Sequence, residues 1–457
     1  MLRTLLCSLY CFIVTGVLYG QEKPDTSLAG RLDQLIAARL EQVAPGAVVL
    51  VAQQGKVSYR KAFGWANKKQ QLPMQPEMIF RIGSVTKPFT ATAILQLVEQ
   101  GKLSLQDSIQ RYVPEYPSKG AVITIQHLLT HTSGIKNYAA IYNPAKARKT
   151  YTLAQGIDYI REEPLEFTPG SNYAYSNSNY YLLGYILEKI TGLSYESYLQ
   201  QHIFDKAGLL HTRYSNPGNT DGGLVTGYMR SKGVFKQVPL EEITTMYAAG
   251  GLEANVDDLL HFQQALYKGV LLNNTSLLAA TTPYRFPDGT ASQYGYGWFI
   301  QDIGGSKAIT HSGSTDGFQS DIIYLPEQDV FVAALFNGYE ADMDWTVLTT
   351  DIARLAIGKP LEDSILSPTV LESYVGVYQY TTEHQLIITR EADKLFVKAS
   401  NPAARLPLVQ LHAAAKDSFY IKEAPLRFVF VREAPDKPLK LVTYNTRGKD
   451  AEWVKIK

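Results

Sequence analysis

The stretch Ile82-Gly83-Ser84-Val85-Thr86-Lys87-Pro88-Phe89-Thr90 constrains this chain more than any other. An extended segment, Met78 to Arg81, runs into it, and Ala91 to Val98 continues from it as a helix. Ser84 is expected at the first helical turn. Lys87 follows three residues later, so helical geometry sets the two side by side on one face. A serine hydroxyl is a weak nucleophile until a neighbour takes its proton, and an amine can do so when burial or a nearby cation lowers its pKa. The helix N-terminus adds free N–H groups that favour a developing negative charge. The same tetrad recurs at Ser58/Lys61, in a strand-like run, and at Ser133/Lys136, in a loop closed at once by Gly134. Only Ser84 has the strand-to-helix context.

At 457 residues the chain implies two or three domains, and 45% apolar residues suffice for a large core. A net charge of +1 gives no reason to expect nucleic acid as a partner. Arg3, an apolar run from Leu5 to Val17 and the small Gly20 before Gln21-Glu22-Lys23 form a signal-peptide pattern, with cleavage after Gly20. An uncleaved anchor is the alternative, against which the run is short. Cys7 and Cys11 both lie in this segment, neither behind the small residue of a lipoprotein signal. The mature chain is then an exported protein, periplasmic or extracellular, without disulfides and without a membrane span.

Read in order, Ser27 to Gln42 is an amphipathic helix with Leu28, Leu32, Leu35, Ile36 and Leu40 on one stripe. Strands are expected at Gly46 to Ala52 and Lys56 to Phe63 around a Gln54-Gly55 turn. Thr124 to Thr130 reads as a helix stopped by Gly134, and Tyr151 to Glu162, Tyr180 to Thr191, Tyr195 to Leu209 and Asp257 to Lys268 as further helices. Strands return at Tyr296 to Ile300, Ala308 to His311, Phe318 to Tyr324 and Val330 to Phe336, followed by a helix from Asp344 to Leu355. The simplest architecture is of α/β (α+β) class: one antiparallel sheet built from both ends of the unit, flanked by helices, with a helical insert alongside. The composition changes between Gly358 and Pro368. Beyond it, short strands from Val375 to Ile456 predict a separate all-β barrel or sandwich.

Two further runs bear on Ser84. Tyr175-Ser176-Asn177 follows a Pro169-Gly170 turn, and a Tyr-x-Asn can bring a proton-relaying phenol and an orienting carboxamide into one site. A second copy, Tyr214-Ser215-Asn216, reads as a surface turn before Pro217-Gly218. His311-Ser312-Gly313-Ser314 ends a strand, with a glycine that admits close backbone approach. His127 and His131 have i, i+4 spacing, but without a glutamate between them the structural reading is preferred, and no metal or other cofactor is expected.

Ser84-Val85-Thr86-Lys87, Tyr175-Ser176-Asn177 and His311-Ser312-Gly313 stand in the order of the three motifs of the Ser-x-x-Lys acyl-transfer enzymes. These are the class C β-lactamases, the low-molecular-weight penicillin-binding D-alanyl-D-alanine carboxypeptidases and related esterases and D-aminopeptidases. The chain also resembles that family at Phe167-Thr168-Pro169-Gly170, His127 to Gly134, Ala249 to Leu252, Tyr294 to Trp298 and Gly313 to Phe318, so the resemblance spans Ser27 to Gly358. It implies a β-lactamase/transpeptidase-like fold over 21–360, after a signal peptide at 1–20 and before a small lipocalin-like β-domain at 368–457. It also implies that Ser84 is acylated, that Lys87 and Tyr175 shuttle its proton, and that Asn177 orients lysine and substrate. Gly313 and His311 would line the substrate, and the N–H groups of Ser84 and Ser314 would form the oxyanion hole, each worth about two to three powers of ten in rate. Histidine at 311, where many β-lactamases carry a permanent lysine charge, is expected to be partly charged near neutrality. The expected activity is hydrolysis of a small amide or ester by an acyl-enzyme, with a D-Ala-type peptide first. The alternatives are a β-lactamase, a carboxylesterase, or a non-catalytic binding or sensing protein for cell-wall peptide or β-lactam.

Overall fold

A computed structural model describes residues 27–141, 153–215, 223–231, 234–239, 246–339, 345–359, 366–401, 406–415, 417–421, 426–432, 439–445 and 448–457. The expected leader with Cys7 and Cys11, Asn216 of the second Tyr-x-Asn, and the composition change at 360–365 lie outside these residues.

The apolar run of Gly46–Gln53 forms β1, which is buried on both faces. Alternation divides it: Val48, Leu50 and Ala52 enter one core, and Ala47, Val49 and Val51 the other. A strand covered on both sides needs no polar face, which is why its sequence runs apolar without a break. β2 (Lys56–Asn67) and β3 (Leu72–Pro73) pair beyond one edge of β1. On the other edge lies a strand from the far end of the unit. With β9 (Phe299–Ile303), β10 (Ser306–Thr315), β11 (Phe318–Leu325) and β12 (Val330–Phe336), the order is β3-β2-β1-β12-β11-β10-β9. The β1–β12 register runs from Ala47↔Phe336 to Gln53↔Val330, antiparallel.

One face of this sheet is covered by α1 (Leu28–Val43) and the Thr346–Ala356 helix. Ser27 caps α1 by accepting from the Gly30 N–H at 3.1 Å. Leu32 and Ile36 are fully buried there, each worth about 1.5–3 kcal/mol. Asp33 ties the same helix to β2, accepting from Tyr59 Oη at 2.7 Å and pairing with Lys61 at 2.5 Å. The opposite face meets the larger core, built around α2 (Thr86–Glu99) and the Asn177–Thr191 helix.

Several elements differ in extent from the sequence expectation. Met78–Arg81 contributes only β4 (Phe80–Arg81), which joins β5 (Arg213–Tyr214) and β8 (Leu252–Ala254) in a small sheet of its own, order β4-β8-β5. The expected strand at Tyr296 starts instead at Phe299, because Gly297 turns with φ +81° and a Cβ there would stand 2.8 Å from Ala91 Cβ and 3.0 Å from Lys87 O. His311 lies within β10 rather than at its end. The expected Tyr195–Leu209 helix has α-helical turns on either side of a π-helical segment, Gln200–Phe204. β6 (Tyr228–Ser231) and β7 (Val234–Gln237) form a hairpin that β13 (Gly338–Tyr339) joins in parallel. The helix Ile125–Leu129, α3, stops before Gly134, where His131 takes φ +58°.

The C-terminal strands close into one barrel rather than a sandwich: β14 (Gly376–Thr381), β15 (His384–Glu391), β16 (Lys394–Ala399), β17 (Val409–Ala415), β18 (Ser418–Tyr420), β19 (Arg427–Val431), β20 (Lys440–Asn445) and β21 (Gly448–Lys455). β14 pairs with β21 through Tyr378↔Lys455 and Gln379↔Val454, which leaves no free edge. A core of its own, including Tyr378, Leu395, Val397, Phe419 and Leu441, fills it. The Pro368–Tyr374 helix, capped by Ser367, packs Leu371 and Tyr374 against that core.

Candidate active site

Ser84 sits in a 3-10 turn, Gly83–Val85, that leads into α2. N–H groups in such a first turn have no intrahelical acceptor. The turn is held from two sides: the Ile82 N–H donates to Leu252 O at 3.0 Å, and Ser320 Oγ donates to Ile82 O at 2.7 Å. Two glycines allow β10 to lie directly on it. A Cβ at Gly83, where φ is +48°, would stand 2.8–3.0 Å from the Ser314 backbone. A Cβ at Gly313 would stand 2.1 Å from Ile82 O and 2.9 Å from Ser84 N. The close approach that Gly313 permits is therefore that of the Ser84 turn itself. It brings the Ser84 and Ser314 backbones to one place.

Lys87 is completely buried, as a residue in the first turn of a helix packed on every side. Its Nζ lies 3.1 Å from Ser84 Oγ, 2.8 Å from Asn177 Oδ1 and 2.8 Å from Ala249 O. Burial pushes its pKa well below the ordinary lysine value. A neutral amine has two N–H groups and one lone pair. With two positions of Nζ held by the Asn177 and Ala249 oxygens, the third faces Ser84 Oγ, as an N–H while the amine is charged and as the lone pair once it gives up its proton. The Tyr175 ring centroid lies 4.7 Å from Nζ and that of Tyr180 5.6 Å away. Ser84, Lys87, Tyr175 and Asn177 are thus brought together from segments more than 80 residues apart in sequence.

His131 organises the Tyr175 segment. Its Nδ1 accepts from the Ser176 N–H at 3.1 Å, its carbonyl accepts from the Ala174 N–H at 3.0 Å, and its ring lies 4.3 Å from that of Tyr175. Burial, then the Lys87 charge, hold its pKa well below the usual histidine range. His127 is spent on the cap of α3, accepting from the Thr124 N–H through Nδ1 at 3.2 Å.

His311 differs from expectation in its charge. It is 1% exposed, and burial, with the Lys87 charge second, lowers its pKa to about 3. Nδ1 lies 2.7 Å from Ser312 O, an acceptor only, so it carries the proton, and Nε2 accepts from Tyr294 Oη at 3.0 Å. The imidazole is neutral at working pH and cannot supply the partial positive charge that an exposed histidine would. Tyr294, Phe299 and Tyr175 surround it with rings at 5.9, 5.3 and 6.3 Å.

The other Ser-x-x-Lys copies do not form pairs. Ser58 Oγ donates to Val51 O while Lys61 pairs with Asp33; Ser133 Oγ donates to Asn179 Oδ1 while Lys136 pairs with Glu163. The Ala249 carbonyl has no sign in the sequence, because a backbone acceptor leaves no side-chain signature. Tyr294 could have been found: it stands in the glycine-rich run Tyr294 to Trp298 already noted. Among the described residues no group of three or more His, Cys, Asp or Glu could hold a metal, and no helix is long and apolar enough to cross a membrane.

Comparison with known proteins adds four findings. The family model described as Beta-lactamase matches residues 32–357. The chain is 26% identical over 436 residues to Penicillin-binding protein 4* of Bacillus subtilis (strain 168), covering 90% of this chain and 94% of that one. Among solved structures it is similar to the octameric penicillin-binding protein homologue from Pyrococcus abyssi, with TM-score 0.66, 27% identity and coverage of 93% and 99%. It is also similar to a D-stereospecific amidohydrolase from Streptomyces, with TM-score 0.59, 26% identity and coverage of 67% and 93%.

Proposed function

The chain belongs to the beta-lactamase family and is a serine hydrolase of that fold, and from this premise we propose that it works by acylation of Ser84. The observation that carries the proposal is the buried Lys87. Two fixed acceptors orient its amine, and Ser84 Oγ is its third neighbour at 3.1 Å. Lys87 takes the Ser84 proton as Oγ attacks the substrate carbonyl. The oxyanion forms between the N–H groups of Ser84 and Ser314. Tyr175, in contact with Lys87, passes the proton to the leaving amine or alkoxide. Asn177 holds both the lysine and the substrate amide, and β10 at Gly313 and Ser314 forms the wall along which the substrate lies, with the His311 ring buried behind it. Water then attacks the acyl-enzyme, and the proton returns to Ser84.

The substrate is a small amide or ester, with a D-Ala-type peptide as the first choice. The penicillin-binding relative and the D-stereospecific amidohydrolase support a D-configured amide. A second reading, a neutral ester or amide, is favoured by the uncharged His311, which offers no cation to a substrate carboxylate. We further propose export after removal of residues 1–20, and a boundary between the hydrolase unit and the barrel in 360–368. Intact-mass measurement after exposure to a fluorophosphonate and to a penicillin tests the acylation. One adduct per wild-type chain and none on Ser84→Ala is the expected result, and an adduct that persists on Ser84→Ala refutes it. Turnover of a D-Ala-terminated peptide against a short-chain ester then separates the two substrate readings.

A further inference from the structure

Tyr247 is a bulky residue whose backbone lies in the left-handed region. Its φ is +40°, in a region that bulky residues rarely enter, at the start of a four-residue turn, Tyr247–Gly250. Strain of this kind persists only where the surroundings impose it. Here they do. The Tyr247 phenol donates to Glu188 Oε1 at 2.8 Å, and the same oxygen accepts from the Tyr195 N–H at 2.7 Å. The ring is 4% exposed and packs against those of Tyr181 and Tyr195, each at 5.1 Å. Gly184 leaves the space for this approach, since a Cβ there would stand 2.4 Å from Ala248 Cβ and 2.6 Å from Tyr247 Cε1.

The turn so held delivers two carbonyls to α2. Ala249 O accepts from Lys87 Nζ at 2.8 Å, and Ala248 O accepts from Thr90 Oγ1 at 2.7 Å. The Gly251 N–H closes the turn on Tyr247 O at 2.7 Å. Of the two acceptors that aim the Lys87 amine at Ser84, one therefore depends on the Tyr247 conformation.

We propose that Tyr247, anchored on Glu188, is a positioning residue for Lys87: it holds the Tyr247–Gly250 turn so that the Ala249 carbonyl fixes the direction of the lysine lone pair toward Ser84. The inference rests on the acylation reading above. Neither Tyr247 nor Glu188 touches Ser84 or the reacting atoms. Their effect belongs to the rate of acylation and not to the binding of substrate.

The test is single-turnover acylation of the full chain by p-nitrophenyl acetate, followed by nitrophenolate release over a range of ester concentration. Tyr247→Phe removes only the hydroxyl. It should lower the limiting acylation rate about tenfold, in line with a small misplacement of a reacting group, and leave the half-saturating concentration within about twofold. Glu188→Ala should do the same, and the double variant should be no slower than either single one, since both break one link. Glu188→Gln keeps an acceptor for the phenol and should recover most of the rate. Additive losses in the double variant, an unchanged rate in Tyr247→Phe, or a loss seen only as weaker saturation would each overturn the proposal. Because Glu188→Ala and Glu188→Gln alter the link without touching the strained residue, a Tyr247 variant that fails to fold leaves the comparison intact. If wild-type protein is not acylated on Ser84, the acylation reading falls and this inference with it. If it is acylated and Tyr247→Phe matches it, only this inference falls.

Discussion

His311 should make this enzyme acid-sensitive in a measurable way. In the native state its pKa is lowered to about 3, whereas in the unfolded chain it returns to the ordinary value of 6.5. Between those values the unfolded chain binds a proton that the native protein refuses, so stability rises with pH across the window and is complete above about 6.5. On acidification it is lost at about 1.4 kcal/mol per pH unit, down to the native pKa. From pH 7 to pH 4.5 the loss due to this one imidazole is about 2.5 kcal/mol. Glutamine at 311 does not titrate, so wild type and His311→Gln share every other acid-labile group, and those cancel in the difference between them. The assay is urea unfolding at pH 7.0, 6.0, 5.0 and 4.5, read by tryptophan fluorescence, since Trp65, Trp298 and Trp345 all lie in the hydrolase unit. Wild type should lose about 2.5 kcal/mol more than the variant over that range. A difference that does not change with pH would mean that His311 is charged, or free to become so, in the native state.

The contact between β10 and the Ser84 turn leaves no room at Gly313, where an alanine Cβ would stand 2.1 Å from Ile82 O. Gly313→Ala should cut the acylation rate at least a hundredfold, with an overpacking cost of about 1–3 kcal/mol in thermal unfolding. Lys87→Met should abolish labelling of Ser84 by a fluorophosphonate yet change the melting temperature little, because relief from burying the amine is offset by the unmet Asn177 and Ala249 oxygens. Asp258 Oδ2 accepts from the N–H groups of His211 and Thr212 and from Thr212 Oγ1. Asp258→Ala should destabilise the hydrolase unit by about 2–4 kcal/mol in the same urea assay, by leaving buried donors unmet. A chain ending at residue 359 should remain monodisperse in solution and keep its Ser84 labelling; aggregation would show that the barrel covers part of the first unit.

Much of this was legible in the sequence because each signal had a local cause. The Ile82 to Thr90 run carries its turn, its helix start and its lysine within nine residues, and the doubly buried β1 is written as an unbroken apolar run. The run of short C-terminal strands was legible from its turns, but its closure was not, because it depends on Tyr378 meeting Lys455. What was not legible depended on depth. Nothing near His311 in sequence says that it would be sealed under Tyr294 and Phe299, so its charge was misread. The strand expected from Tyr296 failed because Gly297 answers to α2, more than 190 residues earlier. The Ala249 carbonyl was invisible for a different reason, since any residue type supplies one.

The placement of β12 beside β1 has a consequence for how the protein is made. Ala47 and Phe336 are partners 289 residues apart. At roughly 5–20 residues per second of synthesis, β1 waits on the order of 15–60 s for its neighbour. During that interval its apolar edge is open to any other strand. Folding of the sheet can close only after nearly the whole hydrolase unit exists, so early, domain-by-domain folding during translation is denied to it.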